Sequence, residues 1–354
     1  MKPVHLHSHQ RGAVMFQPGL SKGKYALAAV VALAVLAVAA PGRAASAKQE
    51  PFVRSWQGEF PRTDFSLHAV PLDQIYDVVH RDGVPAIDNP KIVSLREVYG
   101  IGDWEPVVTV SMGGERRAYP VQLLTWHEIV NDTVGGVPIA VTYSPLCNSI
   151  VVYDRRVDGQ ALIFGGTGRL RNANAVMYDK ETESWWQQYT GEAIVGDLTG
   201  KRLKPVAARV ESFIRFRNAA PEGTVVMPRS PAMRQYGHNP FAYYDTRGKP
   251  DHSFSGDLPA GIAPLARVVS VGDQAWPLDL VRKQKTVEAD GLVITWQPGQ
   301  ASALDQVMIS NGRDVGNVTV QRKTASGFED VPYNVSFAFA FHAFYPKGVI
   351  HALK

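Results

Sequence analysis

The chain has 354 residues, 45% of them hydrophobic, with 37 Lys and Arg against 33 Asp and Glu. Residues 1–47 hold five of those cations and none of the carboxylates, so the remainder carries 32 minus 33, a net charge of −1. A balanced remainder of about 300 residues excludes a charge-driven binder of nucleic acid or anionic membrane, and it is long enough to bury a full core.

The first expected element is a secretory leader. Lys2, Arg11, Lys22 and Lys24 precede an apolar run from Tyr25 to Ala40, and small residues follow it. That order is the three-part layout of an export signal, with cleavage after Ala45-Ser-Ala47 and 1–47 as the removed segment. The run is shorter than the about 20 residues of a bilayer span, so no stable membrane span is expected after cleavage. The expected product is one exported domain, 48–354, periplasmic or secreted. Its single cysteine, Cys147, excludes an intramolecular disulfide.

Further along, short apolar or alternating runs at Val107–Ser111 and Arg116–Tyr119 flank Gly113-Gly114 and predict a hairpin. A helix is expected from Pro120 through Val121, Leu124, Trp126, His127, Glu128 and Ile129 to about Asn131. Strands follow at Val137–Tyr143, Ile150–Arg155 and Ala161–Phe164. A short helix is expected after Ser212 as N-cap, stopped before Pro221. The C-terminal part, 262–351, predicts strands at Val268–Val271, Leu292–Trp296, Gln306–Ile309, Asn317–Gln321 and Ser336–Phe344, the last one central because it is apolar on both faces. No internal repeat is evident. The pattern predicts a mainly β or α+β chain of mixed or antiparallel sheets with few short helices, as one large domain or two intimate lobes.

Reactive side chains concentrate in the helix Trp126–Asp132 and the loop Tyr143-Ser144-Pro145-Leu146-Cys147-Asn148-Ser149. On a helix His127 and Asn131 share a face, so an imidazole would stand beside an amide. His127 then serves as base, thiolate partner or metal ligand, or it only fixes the helix to a neighbouring strand. Cys147 follows a proline in a sharp turn. Its sulfur either opens on a pocket or is a small buried hydrophobe. The stretch Gly165-Gly166-Thr167-Gly168 with Arg169 and Arg171 reads as an anion nest or as a tight turn. Asn172 and Tyr178 come next. No His or Cys spacing in 48–354 marks a metal site, so Cys147, His127 and Met177 would have to assemble from distant segments, a set that suits a soft transition metal such as copper.

The segments Arg117-Ala-Tyr-Pro120, Trp126-His-Glu-Ile-Val-Asn-Asp-Thr-Val-Gly-Gly136, Val141-Thr-Tyr-Ser-Pro-Leu-Cys147, Val176-Met-Tyr-Asp179 and Thr190-Gly-Glu-Ala193 resemble the bacterial family catalogued as domain of unknown function 3179. The similarity runs from about Thr63, through Asp82-Gly-Val-Pro-Ala-Ile-Asp-Asn-Pro90 and Tyr236-Gly-His-Asn-Pro240, to Phe341-His-Ala-Phe-Tyr-Pro346. The family commonly carries a second Cys where Ser144 stands, so the resemblance implies a Cys-x-x-Cys site that this chain has lost. A dithiol cycle within that motif is unavailable here.

Two functions are expected. In the first, a polar pocket within the core motifs 105–240 is built from Trp126, Tyr143, Ser144, Asn148, Arg169, Asn172 and Tyr178, with Cys147 as nucleophile, His127 as its base and Asn131 orienting the ring. In the second, the same region binds a soft metal or a small ligand without turnover.

Overall fold

The computed structural model describes residues 51–351, and the expected leader, 1–47, lies outside the described residues. The described chain is mostly β, with five short α-helices among mixed and antiparallel sheets, as the sequence pattern predicts. No helix among the described residues is long and apolar enough to cross a membrane. Helix α1, Pro51–Glu59, precedes the first long strand.

The central finding is a motif that occurs twice. The hairpin β1 (Pro106–Met112) and β2 (Glu115–Pro120) leads through Pro120 into the seven-residue helix α2, Val121–His127. A second hairpin, β3 (Ile129–Val134) and β4 (Val137–Ser144), follows, and β5 (Ser149–Asp154) pairs with β4. Between β5 and the end of the repeat lies an insertion that contains β6, Phe164–Arg171, and β7, Asn174–Asp179. The repeat closes with β8 (Arg209–Ser212), α3 (Phe213–Ala219) and β9 (Thr224–Met227), β8 antiparallel to β1 and β9 parallel to β2.

The same order returns as β10 (Arg267–Val271), β11 (Gln274–Pro277), α4 (Leu278–Gln284), β12 (Thr286–Ala289), β13 (Leu292–Gln297) and β14 (Asn317–Thr324). It closes with β15 (Asn334–Phe337), α5 (Ala338–Phe344) and β16 (Val349–Ile350), again antiparallel to the first strand and parallel to the second. Shared residues explain the shared frame. Ala118-Tyr-Pro-Val-Gln-Leu123 matches Ala275-Trp-Pro-Leu-Asp-Leu280, Gly100-Ile101 matches Gly261-Ile262, and Pro221-Glu-Gly223 matches Pro346-Lys-Gly348. In each copy the buried aromatic, Tyr119 or Trp276, and the leucine after the proline anchor the helix on its hairpin.

The copies pack reciprocally. Strand β8 of the first lies on β14 of the second, and β15 of the second lies on β5 of the first. Asn334 binds the Ser149 hydroxyl and the Ile150 N–H across one junction, while the Asn317 side chain accepts from the Ser212 N–H across the other. Such mutual exchange of equivalent elements is the signature of two-fold pairing, here within one chain.

Several local expectations are corrected. Helix α2 stops at His127, because Glu128 turns left-handed at φ 56° and the chain continues as β3, so His127 and Asn131 share no helical face. Ser336–Phe344 is strand only to Phe337, after which the apolar run is helix α5. Gln306–Ile309 is not a strand. Ser212 stands at the start of α3 but makes no side-chain cap, and its hydroxyl has no partner among the described residues. The repeat was hidden by unequal insertions: 155–208 separates β5 from β8, and 298–316 separates β13 from β14.

Candidate functional site

Cys147 closes a single 3-10 turn, Pro145–Cys147, between β4 and β5, and Asn148 ends that turn in the left-handed region at φ 50°. The sulfur is fully enclosed among Tyr189, Tyr244, Phe337 and Phe339. It lies 3.2 Å from the Ala173 carbonyl and 3.7 Å from that of Asn172. Burial pushes its thiol well above the usual range. Ser144, on the other side of the turn, accepts a 3.0 Å hydrogen bond from the Ala175 N–H. Ser144 and Cys147 therefore grip the tip of the β6–β7 hairpin, where Asn172 and Ala173 both sit at positive φ. A non-glycine pair in that region is strained and persists only when its surroundings fix it. Ser144 thus has a structural task that its hydroxyl fulfils.

His127 is elsewhere engaged. Its Nδ1 lies 2.8 Å from the Pro85 carbonyl, and its Nε2 lies 2.9 Å from the Tyr236 hydroxyl. A carbonyl only accepts, so Nδ1 carries the proton and Nε2 receives the hydrogen bond that Tyr236 donates. Burial lowers the pKa of His127; the Pro85 carbonyl opposes this shift and the Arg234 cation adds to it. Both ring nitrogens are committed without Cys147, so the expected thiol–imidazole pair is not assembled. Asn131 does not orient the ring either: from β3 it binds Asp88 and both backbone groups of Phe164, locking strand to strand.

The remaining expected residues are dispersed. Trp126 is half-buried and its indole N–H has no partner among the described residues. Arg169 is buried beneath α1, ion-paired to Glu59 at 2.7 Å and Asp77 at 2.8 Å. The Tyr178 hydroxyl donates to Asp82, with the Arg81 guanidinium 4.3 Å from its ring centroid. The glycines beside them serve packing. A Cβ at Gly168 would meet the Val79 carbonyl at 2.2 Å, and one at Gly165 the Tyr178 ring at 2.5 Å. Met177 faces Trp186 on the neighbouring strand, in a different cluster from Cys147. No group of three His, Cys, Asp or Glu among the described residues is placed to hold a metal. Of the expected pocket, Tyr143 and Asn148 share a small cavity between the repeats.

The cleft that does adjoin expected chemistry lies at the start of α2. It encloses about 210 Å³ between the Tyr99-Gly100-Ile101 segment, Pro120, Leu123 and the 227–236 stretch. Tyr236 forms one wall, so its hydroxyl links the cleft to His127. Arg234 stands beside it with no carboxylate partner among the described residues; its guanidinium donates to the Met233 carbonyl. The second repeat builds the equivalent cleft from Gly261-Ile262, Pro277, Asp279 and Leu280, wider at about 640 Å³. Sequence reasoning passed over Arg234 and Tyr236 as site residues, although Tyr236 opens one of the motifs that carry the resemblance.

Glu128 also went unassigned. Its carboxyl makes no hydrogen bond or ion pair among the described residues, and burial raises it to about 7. No curated protein and no solved structure matches the chain. The family described as "Protein of unknown function (DUF3179)" matches residues 81–348, and the chain belongs to it.

Proposed function

We propose that this protein is an exported binding module for a small molecule with an apolar body and an anionic end, held in the cleft beside His127. The observation that carries the reading is the pairing of Arg234, a cation without a counter-ion among the described residues, with a Tyr236 hydroxyl whose direction His127 fixes. Tyr99, Ile101, Pro120 and Leu123 offer the apolar wall, and Arg234 supplies the charge that a carboxylate would neutralise. His127, neutral and doubly hydrogen-bonded, acts as a positioning residue for Tyr236. Nucleophilic chemistry at Cys147 finds no support in a thiol that is enclosed and held protonated. Export rests on the charged, apolar and small-residue order of 1–47.

The test is a thermal-shift and calorimetric series of small aromatic and short-chain carboxylates, each beside its neutral amide, on the mature chain. The carboxylate is expected to raise Tm in the natural protein and not in Arg234→Gln, since a ligand stabilises by binding only the folded state. Equal shifts from acid and amide would remove the anionic end, and no shift from any of them would remove the cleft.

A further inference from the structure

We infer that the junction between the two repeats is a built binding site for water, one molecule or two, coordinated by Tyr143 of the first repeat and by Arg267 and Gln300 of the second half. The reciprocal packing leaves a small cavity where the copies meet, lined by matching residues from each: Val121 and Leu278, Ile150 and Val318, Val210 and Val335. Its volume is about 30 Å³. A single water needs about 10–15 Å³ on that measure.

Three polar atoms of the residues around this cavity have no partner among the described residues: the Tyr143 hydroxyl, the Arg267 Nε–H and the Gln300 Oε1. All three side chains are buried, Tyr143 at 1%, Gln300 at 7% and the Arg267 side chain at 9% exposure. A buried polar atom left alone is costly, and most such atoms in folded proteins find a partner. The donor and acceptor inventory selects the occupant. Arg267 Nε can only donate, Gln300 Oε1 can only accept, and the phenol does either. A chloride would face the Gln300 oxygen, and an ammonium would face the Arg267 N–H. Water accepts from Arg267 and Tyr143 and donates to Gln300, satisfying all three.

Neither partner set survives the exchange of copies. The position of Tyr143 is held in the second repeat by Trp296, whose indole donates to the Val315 carbonyl instead. The position of Arg267 is held in the first by Pro106. The site thus depends on how the two copies have diverged, and it bridges them.

A high-resolution crystal structure of the mature chain tests the inference, with a fully occupied water expected within hydrogen-bond distance of all three atoms. In Tyr143→Phe with Gln300→Leu, two of the three partners are gone; that cavity is expected to lose its water density and to admit xenon under pressure. Tyr143→Phe alone, which keeps the ring, serves if the double variant fails to fold, with the water's occupancy expected to fall. A cavity without density in the natural protein, direct bonding among the three side chains, or unchanged water in the variants overturns the inference.

Discussion

Glu128 ends α2 and Lys285 ends α4, and both take the same left-handed backbone, at φ 56° and 64°. In each repeat the carbonyl at this position accepts from the second strand of the following hairpin, from Tyr143 at 2.8 Å and from Trp296 at 3.0 Å. Strain at one residue invites a catalytic interpretation. Its recurrence under a different side chain assigns the strain to the frame, which needs a sharp exit from a seven-residue helix. What differs is the chemistry placed on that frame. Lys285 sets its ammonium 4.3 Å from the Trp296 ring centroid, a favourable cation–aromatic contact. Glu128 brings a carboxyl beside Tyr143 and finds no partner among the described residues, and burial alone raises it to about 7.

The sharpest way to break this equivalence is at Asn148 and Gly316, which occupy matching left-handed positions at φ 50° and 79°. A Cβ at Gly316 would meet the Trp296 indole nitrogen at 2.0 Å. Gly316→Ala is therefore expected to cost roughly 3 kcal/mol or more by denaturant unfolding, from clash and strain together. Asn148→Gly should cost only about 1 kcal/mol, because it relieves the backbone and loses one hydrogen bond to the Val335 carbonyl. Equal costs would mean that the two positions are not equivalent.

A second comparison follows pH. A carboxyl raised from 4.5 to about 7 on folding binds its proton more tightly in the native state, so stability falls as pH rises from about 4.5 to 7 and is level above that. Glu105, buried in the loop before β1 and also raised to about 7, adds a fall of the same sign. Glu128→Gln is expected to stabilise the protein at pH 8 by roughly 2 kcal/mol and to flatten part of that fall. A Glu128→Gln profile that still falls as steeply would show that the carboxyl is compensated in solution.

A further comparison concerns Cys147, whose sulfur holds the Asn172-Ala173 turn of the insertion. Cys147→Ala is expected to lose about 1–2 kcal/mol of stability, through a small cavity and a loosened Asn172-Ala173 turn, and to bind the cleft ligand unchanged. In the natural protein a thiol reagent should label Cys147 only at the rate of unfolding. Rapid labelling under native conditions would contradict the enclosure.

Much of the frame was legible. The Gly-Gly turns, the proline start of α2 and the alternating runs gave the mainly β class and about half of the strands of the two repeats, because hairpins are specified by neighbours in sequence. The helix end at His127 was not legible: Glu128, Ile129 and Val130 continue an apolar helical pattern, and only pairing of β3 with β4 turns it into strand. Ser336–Phe344 failed for the related reason that a short apolar run fits a buried strand and a buried helix alike. The site was read from proximity in sequence, which put His127 beside Cys147. Sheet geometry separates them and delivers Tyr236, more than one hundred residues downstream, to the imidazole instead.

The reciprocal packing also dictates an order of assembly. Strand β1 must wait for β8, and the surface of β5 is covered only when β15 arrives near the end of the chain. Neither repeat can reach its final packing while the other is unmade, so the first cannot ripen as an independent folding unit during synthesis. Contacts of such long sequence separation slow folding and lengthen the time for which strand edges stand open. A chain built this way depends on being kept unfolded until all of it is available, and then folds as a whole.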